Sequence, residues 1–359
     1  MPVPVDTTQP IKRELPSKEK TREHCREDEV LGKNTRHRIP HGQSFWPRQK
    51  RRPAGRRCAK PQVLAPAETH THMNSCSRRT FLKRSSAIAA TSLIGIDSLS
   101  AATLKQPVGL QLYSVRNLLP KDFHGTLDRL AQAGYKEVEA AGYFGKTAAD
   151  FGNALQKAGL KCVSTHHALA ELKSQLSQLI EYGQALGLEY MICSWAGVHR
   201  DPSRTGELSL DDWRYVADQF NAIGQKVSAA GMTFGYHNHT IEFASENGVV
   251  FFDELLKRTD PKLVCFEMDC GWIVAGGHNP VEYLSKSPAR FPLFHIKDLI
   301  KGPDGKWRNV AMGKGSIDYK PILRAATGLK HYFIEQEEFQ EDPMQELRED
   351  ADFIKKLDF

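Results

Sequence analysis

LKCVSTHHALAELKSQLSQLIEYGQALGLEYMICSW, residues 160–195, contains the repeating unit that decides the fold. A β-rich run over residues 160–167 leads into a helical stretch over 169–187, which ends in glycine just before the next β-rich run, 188–195. Glycine is common directly after the last turn of a helix because it adopts the left-handed conformation without strain. The stretch therefore predicts a strand, a helix and a second strand in direct succession.

The same alternation continues from Pro107 to the end of the chain. Glycines close the predicted helices at positions 134, 159, 187 and 231, and each is followed at once by a β-rich run. Eight such units in about 250 residues predict a (β/α)8 TIM barrel over residues 103–359. A doubly wound open sheet is the alternative, but no glycine-rich phosphate turn follows the first strand, VGLQLYSV at residues 108–115.

The charge of the chain is divided unevenly along its length. The 359 residues carry a net charge of +6, but residues 1–102 hold 20 Lys and Arg against 9 Asp and Glu, and residues 103–359 hold 29 against 34, a net charge of −5. Binding to nucleic acid depends on neutralising phosphates with basic side chains. The acidic balance of residues 103–359 therefore disfavours nucleic acid as a partner.

The first 102 residues are expected to contain two different segments. Residues 1–72 are rich in Pro, Arg, Lys and His and lack apolar periodicity, which is typical of disorder. From Met73 to Ala102, a basic segment with Arg78 and Arg79 precedes a short apolar run and a small-residue exit, as in a twin-arginine export signal. We therefore expect translation to start at Met73, cleavage near Ala102 and a periplasmic mature protein. The apolar run is too short for stable membrane insertion, which needs roughly 20 residues.

The carboxyl ends of the predicted strands carry residue types that bind metals or exchange protons. They are His166 and His167 after strand three, Trp195 after strand four, His237 and His239 after strand five, Asp269 after strand six, His295 and Lys297 after strand seven, and Glu335 after strand eight. Catalytic groups of TIM barrels lie at this end of the barrel. One inward residue from each of strands five to eight predicts a cage of His237, Asp269, His295 and Glu335 around one divalent cation.

Several of these motifs together resemble a known family. They are VGLQLYSVR (108–116), YHNH (236–239), MDCGW (268–272), HIKD (295–298), MGKGSID (312–318) and IEQE (334–337). In this order they resemble the xylose isomerase-like TIM barrel family, in the sugar phosphate isomerase/epimerase group. The resemblance implies a Glu, Asp, His and Glu cage around Mn²⁺, Mg²⁺, Co²⁺ or Zn²⁺. Asp269, His295 and Glu335 match that pattern, whereas His237 stands where the family has its first Glu.

The resemblance implies an exported, divalent-metal-dependent sugar isomerase or epimerase that acts on a small carbohydrate through a metal-stabilised enediolate, with a homo-oligomer possible. The replacement of one carboxylate by His237 removes a symmetrical acid–base pair and makes the cation a stronger Lewis acid. This change suits a one-base reaction, and a lyase or dehydratase acting on a keto-sugar is the alternative. An enzyme like endonuclease IV and a non-catalytic sugar-binding protein are the remaining alternatives.

The other candidate residues are assigned roles within this interpretation. Catalytic roles are expected for Glu335, Lys297 and His239, and contacts with the substrate for His166, Glu139, Trp195 and Trp272. Glu267 is expected to support the metal ligands or to form a buried salt bridge. Glu242 is expected to be a solvated loop residue or a replacement for the missing carboxylate. The glycine-rich turn at 312–318 offers backbone N–H groups that suit an anion.

Overall fold

The computed structural model describes residues 103–359, and the stretch expected to be disordered (1–72) and the expected export signal (73–102) lie outside the described residues. Eight parallel strands form one closed barrel in which each strand pairs with its neighbours in chain order and the last pairs with the first. The predicted (β/α)8 barrel is confirmed. The strands are Gly109–Gln111 (β1), Glu137–Ala140 (β2), Lys161–Ala168 (β3), Tyr190–Trp195 (β4), Thr233–His237 (β5), Val264–Asp269 (β6), Leu293–Ile296 (β7) and His331–Ile334 (β8).

Helices cover the outside of the barrel between successive strands. Within residues 103–359 they are Phe123–Ala133 (α1), Ala148–Ala158 (α2), Leu169–Leu186 (α3), Leu210–Ala229 (α4), Phe251–Arg258 (α5), Cys270–Ala275 (α6), Pro280–Lys286 (α7), Tyr319–Ala325 (α8) and Pro343–Lys356 (α9). Short 3₁₀ helices occupy Leu112–Val115, Ile241–Phe243 and Pro288–Arg290. None of the helices described in this range combines the length and the apolar character that crossing a membrane requires.

Local sequence explains where most of these helices begin and end. Gly134, Gly159 and Gly187 follow α1, α2 and α3 in the left-handed conformation, as predicted. Ser209 begins α4 with a capping box, in which its side chain and that of Asp212 each accept a hydrogen bond from the other's backbone N–H. These caps set the length of each helix, and therefore the place where the chain enters the next strand.

Three features were not predicted from the sequence. Helix α6 begins directly after Asp269, so two helices rather than one separate β6 from β7. An antiparallel hairpin, Asp298–Lys301 with Trp307–Val310, follows β7 on the same side of the barrel as the strand ends. A second, smaller hairpin joins Ser245–Glu246 to Val249–Val250. All three lie after a strand and before the next long helix, where insertions leave the barrel intact.

The inside of the barrel has an apolar layer below a polar one. Val163, Ile192, Leu293 and Phe333 are fully buried and pack together inside the ring of strands. Gly109 leaves room for this layer, because a Cβ atom there would lie 2.6 Å from the ring of Phe333. The main hydrophobic core lies between the strands and the surrounding helices. The apolar layer closes the barrel from below, so the polar residues above it open only towards the carboxyl ends of the strands.

Candidate metal centre

Four buried side chains meet at the carboxyl ends of β5 to β8. His237 is the last residue of β5, Asp269 is the last of β6, His295 lies within β7, and Glu335 follows β8 directly. One ligand atom from each residue lies within 4.8 Å of the corresponding atoms of the other three. The structure therefore brings together the four residues that the sequence assigned to a metal cage, and we refer to them as the upper quartet.

Hydrogen bonds fix the orientation of Asp269 in the upper quartet. Oδ1 of Asp269 accepts the backbone N–H of Trp272 at 2.7 Å, in the first turn of α6. Asn238 holds the backbone of Asp269 on both sides, since its amide accepts from the N–H at 3.1 Å and donates to the carbonyl at 3.2 Å. Oδ2 of Asp269 is buried and has no hydrogen-bond partner. Oδ2 faces the centre of the quartet, 3.9 Å from Nε2 of His237, and its nearest charged group is Nζ of Lys297 at 3.1 Å.

A second set of polar side chains lies against the upper quartet. His166, Glu267, His237 and His295 form another group whose ligand atoms lie within 4.8 Å of one another. Nε2 of His166 lies 2.6 Å from Glu267 and 2.9 Å from Glu139. Glu139 and Glu267 are fully buried. We call His166, Glu139 and Glu267 the lower layer.

The lower layer contains two residues that the sequence assigned to substrate binding. Oε1 of Glu139 accepts from Ser164 at 2.6 Å, and its Oε2 accepts from Gln111 at 2.7 Å. A register shift between Val138 and Glu139 brings Ser164 opposite Glu139 across the β2–β3 pair. Glu139 was assigned to substrate binding from the sequence, together with His166. In the structure their polar groups bind other protein side chains, and the side chain of His166 is 11 % exposed.

Lys297 lies one residue beyond β7, and its ammonium group is surrounded by carboxylates. Its Nζ lies 2.7 Å from Glu335, 2.8 Å from Glu337 and 3.1 Å from Asp269. The contact with Asp269 lacks hydrogen-bond geometry, which agrees with the unsatisfied Oδ2 atom. Glu337 was not singled out from the sequence, although it follows Glu335 with the spacing that places alternate strand residues on one side. Lys297 thus adds a buried positive charge beside two members of the upper quartet.

Aromatic residues cover the mouth of the site. The ring of Trp272 lies 4.6 Å from Nζ of Lys297 and 6.5 Å from the ring of His239. Trp195 packs edge-on against His239 at 6.1 Å. Both tryptophans and His239 are partly exposed. The predicted substrate contacts Trp195 and Trp272 therefore lie together beside His239, above the upper quartet.

Glu242 is not a solvated loop residue. It is fully buried, and its carboxylate accepts hydrogen bonds from the hydroxyl of Tyr236 and, at 2.9 Å, from the backbone N–H of His239. Burial raises the pKa of Glu242 to about 7. Glu242 therefore shapes the turn that carries His239, and the expectation of an exposed side chain was wrong because the 3₁₀ helix at Ile241–Phe243 turns it inward.

The glycine-rich turn at 312–318 binds a carboxylate side chain of the same protein. The carboxylate of Asp298 accepts backbone N–H groups from Gly313 at 2.9 Å, Gly315 at 2.9 Å and Ile317 at 3.2 Å. A Cβ atom on Gly315 would lie 2.1 Å from Oδ1 of Asp298, so this close approach requires glycine. Tyr319 adds two bonds to the backbone of Lys297, at 2.9 and 2.7 Å. The turn therefore fixes the end of β7, where Lys297 lies.

The charges of the upper quartet follow from burial and from its neighbours. Burial and the charge of His295 hold the pKa of His237 well below its usual range, so its imidazole is neutral at pH 7. Burial raises the pKa of Asp269 to about 6. Burial would also raise the pKa of Glu335, but the positive charges of Lys297 and His295 outweigh it and hold that pKa well below its ordinary value. Burial opposes protonation of His295, but Glu267 and Glu335 raise its pKa.

The donor atoms of the upper quartet fit a divalent cation. Two imidazoles and two carboxylates are ligand types that Zn²⁺, Mn²⁺ and Co²⁺ accept. Atoms bound to one ion at about 2.1 Å lie at most about 4.2 Å apart, so a group already within 4.8 Å needs only a small contraction. Oδ2 of Asp269 accepts no hydrogen bond and offers a lone pair at this point. The residues of the upper quartet can therefore hold one divalent ion.

A closed parallel barrel with His, Asp and Glu side chains gathered at the carboxyl ends of its strands is the architecture of TIM-barrel enzymes. Residues 127–357 match the model of one family within that class. The chain belongs to the xylose isomerase-like TIM barrel family. The expected family resemblance is confirmed.

Individual relatives differ in the reactions that their names describe. An inosose dehydratase of Clostridium botulinum is 25% identical over 233 residues, which cover 56% of this chain and 76% of the relative. A sugar phosphate isomerase/epimerase of Parabacteroides distasonis is 28% identical, with a TM-score of 0.60 over 70% of this chain and 98% of the other. The IolI protein, solved with a zinc atom, shares the fold at 14% identity, with a TM-score of 0.56 over 69% of this chain and 97% of the other.

Proposed function

We propose that this protein is a divalent-metal-dependent enzyme that removes a proton next to the carbonyl group of a small polyhydroxylated ketone, such as a keto-sugar. The observation that carries the proposal is the upper quartet, four donor groups from four successive strand ends whose ligand atoms lie within 4.8 Å of one another. The names of the relatives support it, since dehydratases and isomerases or epimerases of such compounds share this first step.

In this proposal the ion is held by His237, Asp269, His295 and Glu335. Two carboxylates balance the charge of a divalent cation, and all four residues lie at the end of the barrel that is open to substrate. When bound, a divalent cation acts as a Lewis acid that polarises a carbonyl group. The zinc atom in the structure of the IolI protein supports a divalent metal as the bound group.

The protein supplies two different groups for moving protons. Burial and the charge of Lys297 lower the pKa of His239, so its imidazole is neutral and has a lone pair, whereas Lys297 carries its charge. His239 takes the proton from the carbon next to the carbonyl, and Lys297 gives a proton to a hydroxyl that leaves from the neighbouring carbon. One C–H bond and one C–O bond break, one C=C bond forms, and one water molecule is released. Glu335 and Glu337 hold the ammonium group of Lys297 in place.

Dehydration is the outcome that this arrangement favours. An acid and a base of different kinds suit an elimination, whereas an epimerisation needs a group on each face of the carbon that removes and returns the same proton. The match to an inosose dehydratase supports this choice. Epimerisation or isomerisation is the second candidate, because the match to the P. distasonis isomerase/epimerase covers nearly all of that chain.

An NMR experiment in D₂O tests the proposal. The metal-loaded protein is incubated with inososes, 3-keto sugars, and free and phosphorylated aldoses and ketoses. Dehydration gives a product that has lost one water, whereas epimerisation or isomerisation gives a product of the same composition with deuterium at the exchanged carbon. The Asp269→Ala variant is the control, since it lacks a charged ligand and should be inactive. Turnover of no substrate class in this panel, or equal turnover by Asp269→Ala, would refute the proposal.

We also propose export through the twin-arginine route, on the strength of residues 73–102 alone. This route carries proteins that are already folded, which suits an enzyme that acquires its metal before transport. The proposed substrate is a small carbohydrate, and the net charge of −5 over residues 103–359 gives no support to nucleic acid as a partner.

A further inference from the structure

His237 and His295 each direct their two ring nitrogens towards different layers of the site. Nε2 of His237 faces Asp269 in the upper quartet, while its Nδ1 lies 3.1 Å from Oε2 of Glu267. Nδ1 of His295 lies 3.2 Å from Glu335 in the upper quartet, while its Nε2 lies 2.7 Å from Oε2 of Glu139. The lower layer therefore contacts the ring nitrogens that point away from the proposed ion.

We infer that Glu139 and Glu267 are positioning residues that determine which nitrogen of His295 and His237 is available to the metal, an inference that rests on the proposed function. A neutral imidazole carries one N–H group and one lone pair. A carboxylate that accepts the N–H leaves the lone pair on the opposite nitrogen and fixes the plane of the ring. Glu139 thus directs Nδ1 of His295 towards the ion, and Glu267 directs Nε2 of His237.

Glu139 in the lower layer is itself held rigidly enough for this role. Both oxygens of Glu139 are hydrogen-bonded, Oε1 by Ser164 and Oε2 by Gln111 and His295. Nε2 of His166 lies between Glu139 and Glu267 and balances their charge, and its ring is stacked on that of His295 with centroids 5.2 Å apart. A carboxylate with its oxygens fixed in this way cannot turn away from the imidazole that it holds.

The lower layer could either bind a second cation or position the histidines that bind the first, and the inference favours positioning. His166, His237, Glu267 and His295 could themselves form a cation site, because their ligand atoms lie within 4.8 Å of one another. His237 and His295 belong to both groups and would then have to give both ring nitrogens to metal. If Glu139 and Glu267 hold the rear N–H groups, the chain binds a single ion. The number of ions per chain is therefore part of the test.

The test compares the binding of Co²⁺ to the wild-type protein with binding to Glu139→Gln and Glu267→Gln. Affinity is measured by competition with a chelator, and the visible spectrum of bound Co²⁺ reports the ligand geometry. Loss of a carboxylate behind a ligating histidine typically weakens metal affinity about 10- to 100-fold. We expect that loss in both variants, with a shifted spectrum and still one ion per chain.

Glu137→Gln is the matched control. Glu137 lies on β2 like Glu139, is also buried and also binds a histidine, but its partner is His331 at the amino end of the barrel. We expect wild-type affinity and spectrum from this variant. A structural weakening of β2 would affect both β2 variants, whereas a positioning role affects only Glu139→Gln.

Other outcomes separate this inference from the proposed function. Wild-type affinity and spectrum in Glu139→Gln and Glu267→Gln would overturn the inference, and so would two ions per chain or complete loss of binding in either folded variant. If Glu139→Gln does not fold, Glu267→Gln carries the test. Asp269→Ala examines the ligand set alone: if that variant keeps its ion, the proposed metal centre is wrong, whatever the glutamine variants show.

Discussion

At the scale of single residues, Lys297 supplies the buried positive charge beside the proposed metal ligands. Its ammonium lies 2.7 Å from Glu335 and 3.1 Å from Asp269, so it balances the charge of two proposed ligands in the metal-free chain. Buried carboxylates without a positive partner are strongly destabilising. Lys297 therefore allows the upper quartet to fold before it is loaded.

Lys297→Met should destabilise the metal-free protein more than the metal-loaded one. Removing one partner of a buried ion pair costs about 3–5 kcal/mol, and a bound divalent cation would replace most of the lost charge balance. Urea unfolding of wild type and variant, each with and without Zn²⁺, measures the difference. An equal loss of stability in both states would contradict this role for Lys297. Turnover should fall in either case, since the proposed proton donor is gone.

His237→Glu distinguishes a ligand from a core histidine. Glutamate at this position restores the cage that the family resemblance implies, so we expect the metal-loaded variant to keep its fold and one ion per chain. Its turnover should fall, because a third anionic ligand weakens the Lewis acidity of the cation. A histidine that only filled the core would tolerate this change poorly, since a new buried charge costs several kcal/mol.

His239→Ala is the companion variant, and it should retain the ion while losing turnover. Metal content, thermal midpoint and rate are compared for both variants and wild type. If His239→Ala empties the site while His237→Glu leaves the protein metal-free or unfolded, the ligand has been assigned to the wrong histidine of the pair.

At the scale of secondary-structure elements, the turn at 312–318 anchors the end of β7. It surrounds Asp298 with backbone N–H groups, and Asp298 follows Lys297 directly. A carboxylate bound in this way stabilises the loop and also fixes the direction in which the neighbouring side chain leaves the strand. The hairpin that starts at Asp298 depends on the same anchor.

Asp298→Asn should destabilise the protein by about 1–3 kcal/mol, because an amide group then faces N–H donors that a carboxylate accepted. Turnover should fall as well, since Lys297 is no longer held in place. Asp304→Asn is the control: Asp304 lies in the turn of the same hairpin and binds Arg308 at the surface. Urea unfolding and rate measurements should show no effect of Asp304→Asn. Equal effects of the two variants would assign the loss to the hairpin rather than to the anchor.

Sequence reasoning could predict the upper quartet because its geometry follows from simple rules. Parallel strands end at one side of a barrel, and alternation selects the inward residues, so the ends of β5 to β8 could be placed before the structure was known. The lower layer could not be placed in this way. Glu139 ends β2 much as Asp269 ends β6, and only the register shift beside Val138 shows that its oxygens are turned towards Ser164.

The remaining differences come from contacts between residues distant in the chain. Glu242 was expected in solvent because it follows a predicted strand in a loop, but the chain turns it towards Tyr236. The glycine-rich turn suits a phosphate or any other anion, and sequence alone does not reveal that Asp298 occupies it. The burial of Glu242 and the group that the turn binds both depend on which residues lie nearby in the folded chain.

At the scale of the whole molecule, the two ends of the barrel carry different polar clusters. His331 at the amino end lies 2.7 Å from Glu137 and 3.4 Å from Glu189, which also binds Lys161. The ring of Tyr190 packs edge-on against His331. This cluster joins β8 to β2 and β4 on the side opposite the site, so it contributes to stability without touching the chemistry.

The amino-end cluster should make stability depend on pH. Burial opposes protonation of His331, but Glu137 and Glu189 outweigh it and raise the pKa of His331 above its ordinary value. A raised pKa in the folded state gives stabilisation that is complete below the unfolded pKa of about 6.5 and is lost as pH rises through the folded pKa. His331→Gln should therefore cost more stability at pH 5.5 than at pH 9 in urea unfolding. A cost that is the same at both pH values would show that the imidazolium contributes nothing.

The proposed export concerns the whole chain. Changing Arg78 and Arg79 together to lysine should block transport, because the twin-arginine signal requires the arginine pair. Arg84→Lys, in the same basic segment, should leave transport unchanged. The fraction of protein recovered from the periplasm measures both. Normal export of the double variant, or mature secreted protein that still begins with residues 1–72, would contradict the proposal.

The closure of the barrel by β1 and β8 has a consequence for resistance to proteases. Gly109 pairs with Phe333 across almost the whole described chain, and the proposed metal centre draws on β2 and β3 as well as β5 to β8. Separating any two neighbouring strands of the barrel would move ligands away from the residues that support them. A bound ion therefore opposes every such opening, by a free energy set by its concentration relative to its dissociation constant. Cleavage sites far from the metal should be protected as well as those beside it.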